Sequence, residues 1–313
     1  MHDLILATHS VTMSDAEEPI TTATAPFDNP DGDIILRSTT DRVDFHTFKF
    51  ILSLMSPMFK EMFTLPQNGL QSGISSVPVI PVAESSATLE SLLLHYYPAA
   101  TPKAFSSFSH AVAVMEAAKK YDMQVVLSRA VDRVFTQFIP DRILELYALF
   151  CQFGWQDHAQ MAATRALEIK DLGRPSHVFK GMRNITAFDY HRLLAYHQEC
   201  GAAAQQVAKS LSSRNAYHTL QCAKCNKPEK SLFWTGRPSW FDEYLDKSGK
   251  ELLIRPCEST LLESASYINA IIKAIEDTKC SGCKYKFVEG IDGFRALYIA
   301  QVKRAVAKVS FPC

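Results

Sequence analysis

The apolar positions of this chain change period along its length, and the change divides it. Asp33-Ile34-Ile35-Leu36-Arg37 and Val43-Asp44-Phe45, separated by the turn-like Ser38-Thr39-Thr40-Asp41, predict two short strands in a hairpin. Phe48, Ile51, Leu52 and Met55 then recur at i, i+3, i+4, i+7, the spacing of one helix face. Ser56-Pro57 supplies a stop and a fresh start, because proline is tolerated at the first helical position, and Met58, Phe59, Met62 and Phe63 carry the apolar face into a second helix. Val77-Pro78-Val79-Ile80-Pro81-Val82 is β-branched but twice interrupted by proline, which suits an edge strand. Leu89, Leu92, Leu93, Tyr96 and Tyr97 fall on a further helix face closed by Pro98. Two more helices carry Val112, Met115 and Ala118, then Leu127, Val131, Val134, Phe135 and Phe138. Residues 27–138 read as a small sheet wrapped by helices.

From residue 139 the pattern is wholly helical. Pro140 is placed to begin a helix bearing Leu144, Tyr147, Ala148 and Cys151. Trp155, Ala159, Ala162, Ala166 and Ile169 mark the next, and Leu193, Leu194, His197, Ala204, Val207 and Leu211 a third, over a region ending at 212. Residues 213–313 predict three helices, around 240–245, 267–275 and 294–309. Residues 1–26, rich in Ser, Thr, Ala, Glu and Pro without a sustained period, predict a disordered tail, because they cannot bury enough apolar surface to offset the entropy of ordering. The expected class is α+β, followed by mostly α-helical regions.

Composition adds exclusions. At 313 residues, 47% hydrophobic and 21% charged, the body can bury a core of about two domains. Lys plus Arg balance Asp plus Glu at 33 each, so no global positive excess is available to hold a phosphate backbone or an anionic membrane. Leu4-Ile5-Leu6-Ala7 is shorter than the ~7–15 residues of a signal-peptide core, which leads to the expectation of a reducing compartment, cytoplasmic or nuclear.

The string Asp33-Ile34-Ile35-Leu36-Arg37-Ser38, Val43-Asp44-Phe45, His46-Thr47-Phe48-Lys49-Phe50-Ile51-Leu52-Ser53, Ser56-Pro57-Met58-Phe59-Lys60-Glu61-Met62-Phe63 resembles the core of the BTB/POZ family. The Pro-Val-Ile-Pro-Val strand, Tyr96-Tyr97-Pro98 and Ala117-Ala118-Lys119-Lys120-Tyr121-Asp122 are similar to the version common in basidiomycete fungi, and the helices through about Gly201 resemble a BACK-like extension. The resemblance implies a protein-interaction scaffold or adaptor rather than an enzyme, and homodimerisation as the common outcome. Its candidate surface comprises Phe48, Met55, Met58 and Met62, beside the alternative that this Met and Phe stripe is core. Members that recruit a cullin, as ubiquitin-ligase adaptors, often place a hydrophobic-x-acidic triplet after the helix pair; here Leu65-Pro66-Gln67 carries Gln in place of the acid.

Of eight cysteines, Cys222-Ala-Lys-Cys225 and Cys280-Ser-Gly-Cys283 form two Cys-x-x-Cys pairs, the spacing with which two thiolates reach one tetrahedral Zn²⁺ at ~2.3 Å. The stretch between them, 226–279, is far longer than the ~15–20 residues of compact zinc ribbons. A structural zinc holding the ends of a small helical module, with His218 and Cys257 as reserve ligands, stands beside free thiols and a redox disulfide as the readings of this set. Cys151, Cys200 and Cys313 are isolated. G-x-S-x-G, H-E-x-x-H, P-loop and G-x-G-x-x-G strings are absent from the sequence. His191 and His197, six residues apart, do not share a face on adjacent turns. Lys273, Lys279, Lys284, Lys286, Arg295, Lys303, Arg304 and Lys308 make a zinc-dependent nucleic-acid-binding protein the alternative of a different class, against a solvated helix face.

Overall fold

The computed structural model describes residues 19–65, 77–97, 103–213, 239–277 and 280–312. The chain divides into two compact units that meet between Gln137 and Phe138. The first begins with strand β1 (Thr21–Thr22), followed by the hairpin β2 (Ile34–Ser38) and β3 (Val43–Thr47). After these come helices α1 (Lys49–Met55) and α2 (Pro57–Thr64), strand β4 (Val79–Val82), and helices α3 (Ser86–Leu93), α4 (Phe108–Lys120) and α5 (Gln124–Phe138).

The strands form one sheet in the order β1-β3-β2-β4. The hairpin is antiparallel, with Leu36 opposite Phe45 and Ile34 opposite Thr47. Alternation puts Ile34, Leu36 and Ser38 on the buried side of β2, as a half-buried strand requires. Arg37 and Asp44 face each other across the hairpin in a two-pronged ion pair at 2.7 and 2.8 Å. β4 runs parallel to β2 at the sheet edge. The carbonyls of Pro78 and Val82 accept from the amides of Ile35 and Thr39. Alternation therefore turns the Pro81 nitrogen away from β2, where its missing N–H costs no ladder bond.

Thr21–Thr22, expected within a disordered tail, instead lie parallel on β3 at the opposite edge. The amides of Thr21 and Ala23 donate to the carbonyls of Arg42 and Asp44 at 3.0 and 2.9 Å. This pairing uses backbone alone and leaves both threonine side chains exposed, so no apolar pattern announces it. Phe27, buried against Phe45 and Tyr97 at ring separations of 5.4 and 4.8 Å, anchors the segment that follows.

The second unit is helical: α6 (Ile143–Phe153), α7 (Gln156–Ala166), α8 (Ala187–Ser213), α9 (Ser239–Ile254), α10 (Glu258–Leu262), α11 (Ala265–Asp277) and α12 (Ser281–Val306). Pro140 does not begin α6. It lies in the turn before it, where the Arg142 amide donates to Phe138 O at 3.0 Å, and Arg142 is the capping residue. The helix expected around 240–245 runs on to Ile254, with Ser248 and Leu252 buried beyond that window, and the one expected around 294–309 begins earlier, at Ser281, and ends at Val306. The Ser248 and Tyr298 hydroxyls satisfy each other at 3.2 Å inside this core.

α8 and α9 cross closely at a glycine. A side chain at Gly201 would place its Cβ 2.2 Å from the Leu253 carbonyl oxygen, so only hydrogen fits there. No described helix is long and apolar enough to cross a membrane.

Candidate protein-interaction surface

The helix pair that follows the hairpin is built on a polar joint. The Asp33 carboxylate accepts from the Lys49 amide at 2.7 Å, satisfying an orphan donor at the start of α1 that Phe48, its capping residue, cannot. Ser56 ends α1 and caps α2: its hydroxyl accepts from the Phe59 amide at 3.1 Å and donates to the Tyr121 carbonyl at 2.5 Å. Pro57 occupies the first position of α2. Phe59 drives the pair inward, buried and stacked on Tyr121 at 4.9 Å.

With the pair fixed, α1 divides into two faces. Leu52 and Met55 are buried, at 0% and 2% exposure, whereas Phe50 and Leu54, at i and i+4, stand 77% and 67% exposed. Met58 on α2 is 48% exposed and Leu65, just after it, 64%. A short helix that is apolar on both sides has one side for its own core and one for something else. Phe50 and Leu54, one turn apart, together with Met58 and Leu65 put four exposed apolar side chains within sixteen residues of the helix pair.

Of the four surface residues expected from sequence, Met58 is exposed, Phe48 and Met62 are half-buried, and Met55 belongs to the core. Met55 is corrected on that ground: it shares the inner face with Leu52 and presents nothing to a partner. Phe50, Leu54 and Leu65 were missed. Their signal was legible in Lys-Phe-Ile-Leu-Ser-Leu-Met, where five of seven positions are apolar, more than one face can use. Of the triplet Leu65-Pro66-Gln67, only Leu65 lies within the described residues.

Polar groups around this pair hold structure. The Glu84 carboxylate accepts from Lys120 Nζ at 2.7 Å and from the Tyr121 hydroxyl at 2.5 Å. Asp41 accepts from Ser38 and from the amide and hydroxyl of Ser86, tying the hairpin turn to the start of α3.

Cys222, Cys225, His218 and Cys313 lie outside the described residues, as does the side chain of Cys283 in the first turn of α12. Cys280 is half-buried at the cap of α12, and Cys257 caps α10 with its Sγ 3.5 Å from Thr260 Oγ1. Among the described residues there is no group of three or more side chains placed to hold a metal. Cys200 is buried, and burial pushes its thiol up to about 11, which keeps it protonated near neutrality. His197 is buried with Nε2 3.0 Å from the Ile169 carbonyl, while His191 is exposed, so the two imidazoles share no site. Lys273, Arg295 and Lys303 are paired with Glu243, Asp292 and Glu258.

No curated protein matches the chain. The family model described as BTB/POZ domain matches residues 31–135, about a third of the length, and covers the hairpin, the α1–α2 pair, β4 and α3 through most of α5. Residues 31–135 of this chain are a BTB/POZ domain, a protein-interaction module, followed by a mostly helical region.

Proposed function

We propose that the chain acts as a homodimeric scaffold, with the outer face of α1 packing against the same face of a second copy. The exposure of Phe50 and Leu54 on a helix whose other face is fully buried carries this reading. Covering these two residues in both copies removes four side chains from water. At roughly 1.5–3 kcal/mol each, that is about 6–12 kcal/mol. Association itself costs about 4–15 kcal/mol, so the two residues alone only balance it, and the surplus comes from Met58, Leu65 and the half-buried Phe48 and Met62. A dimer held on this scale is concentration-dependent rather than permanent, and each pair of domains brings two helical units into one assembly.

Sedimentation of the full chain over a hundredfold range of concentration should show a monomer–dimer equilibrium, shifted to monomer by Leu54→Asp, whose melting temperature should match that of the wild type at concentrations where both are monomeric. A wild-type chain that remains monomeric at the highest concentration refutes the dimer. Equal self-association of wild type and Leu54→Asp moves the interface elsewhere.

A further inference from the structure

After α12 the chain turns and lays Phe311 and Pro312, without regular structure, into a slot of the helical unit. The slot is made for an aromatic ring and one carbonyl. Tyr196 and Tyr147 meet the Phe311 ring edge-on at 5.3 and 6.4 Å, and the Arg192 guanidinium lies over it at 4.8 Å. The same guanidinium donates through Nε to the Pro312 carbonyl at 2.8 Å and through Nη2 to Gln156 Oε1 at 3.0 Å.

Arg192 is the residue that gives the slot its chemistry. It is 6% exposed, and its planar guanidinium offers five N–H donors and no acceptor. Its carboxylate neighbour, Asp189, stands at 3.5 Å, beyond good hydrogen-bond reach, whereas the Pro312 carbonyl accepts at 2.8 Å, closer than Gln156 at 3.0 Å. Without that acceptor a buried cation would lose a partner, and burial of an under-satisfied charge is costly. The groups recognised are an aromatic side chain and the carbonyl of the next residue, with proline presetting the extended backbone between them. Any extended peptide with an aromatic–proline pair presents the same groups.

We propose that this slot is a peptide-recognition site for an aromatic–proline segment, occupied in cis by Phe311–Pro312, which acts as a tethered competitor for a partner carrying the same pair. A short tether sets an effective concentration on the order of millimolar, so a free peptide meets a largely filled site until the strap is weakened.

The test uses the full chain bearing Phe311→Ala and a fluorescent peptide with the sequence of residues 307–312. The variant should bind the peptide saturably, and the wild type at least tenfold more weakly. Phe→Ala within the peptide should abolish binding, as should Arg192→Gln added to the Phe311→Ala chain. Gln156→Ala, which spares the buried charge, should weaken it by a smaller factor and controls for loss of folding in the arginine variant. Should Phe311→Ala not fold, Phe311→Leu carries the same comparison. Equal binding to wild type and strap variant, no binding to a folded strap variant, or binding indifferent to Gln156 and to the peptide's phenylalanine each overturns the proposal.

Discussion

Among the described residues, two helices hold an apolar pair out of the core at i and i+4: α1 with Phe50 and Leu54, and α11 with Ile268 at 59% and Ile272 at 48% exposure. Their surroundings differ. Between and beside the α1 pair lie Ser53 and Ile51, and the polar groups of that helix are confined to Lys49 and Ser53. The α11 pair shares its helix with Asn269, Lys273 and Glu276, and Lys273 is engaged with Glu243 on α9 at 2.6 Å. Covering the α11 pair would strip water from charges as well as from carbon, so part of the apolar gain is spent on desolvation. An exposed apolar pair marks an interface when its neighbours are also indifferent to losing water.

The sharpest way to break this comparison is to place a carboxylate on each helix. Leu54→Asp removes two buried leucines from a symmetric dimer, about 3–6 kcal/mol, and should weaken self-association at least ~100-fold in sedimentation. Ile272→Asp should leave it within about twofold. Equal losses would show that charge context does not separate the two faces. Next in size is Gly201→Ala. Alanine is the better helix former by about 0.5–1 kcal/mol, yet its Cβ would meet a backbone carbonyl that no rotamer change can move. The clash should win, destabilising the helical unit by about 3 kcal/mol in a urea melt while the dimer constant stays unchanged. Ser56→Ala acts on the other scaffold. It removes the α2 cap and a partner of the Tyr121 carbonyl, for about 1 kcal/mol, and by loosening the α1–α2 joint it should also weaken the dimer.

Much of the first unit was legible because its local signals agree with its tertiary roles. The alternation at 34–38 names the buried strand face, and Ser56-Pro57 names a helix junction whose hydroxyl and ring both do what their positions suggest. Three features were not legible, each for a physical reason. A helix apolar all round does not say which face it buries, so Met55 was expected at the surface and Phe50 was passed over. Thr21–Thr22 join the sheet through backbone bonds, which leave no mark on side-chain pattern. In the core of the helical unit a serine sits where an apolar residue would mark the helix: Ser248 is buried with its hydroxyl 3.2 Å from that of Tyr298, so the apolar period fades before α9 ends.

The smallest effect separates the units by pH and salt. Burial pushes the Glu84 carboxyl up, but the hydrogen bonds from Lys120 and Tyr121 together with the lysine charge outweigh it, and the net pKa lies below the ordinary carboxylate value. A folded-state pKa below the unfolded one means stability that is present above the unfolded value, ~4.3, and is lost as pH falls through the folded one. Glu84→Gln should therefore cost about 1 kcal/mol at pH 7, with the gap from wild type closing below about pH 4. Glu243 is held at about 2 by hydrogen bonds from Lys247 and Lys273, and its side chain is 41% exposed. Its ion pairs are screened by salt, so Glu243→Gln should have little effect on melting, and none in 1 M salt. Glu84, its side chain only 11% exposed, should keep most of its contribution there. If salt erased both contributions alike, the Glu84 corner would be as open to water as the α11 surface, and the contrast between a dry joint in the first unit and a solvated ion pair in the second would fail.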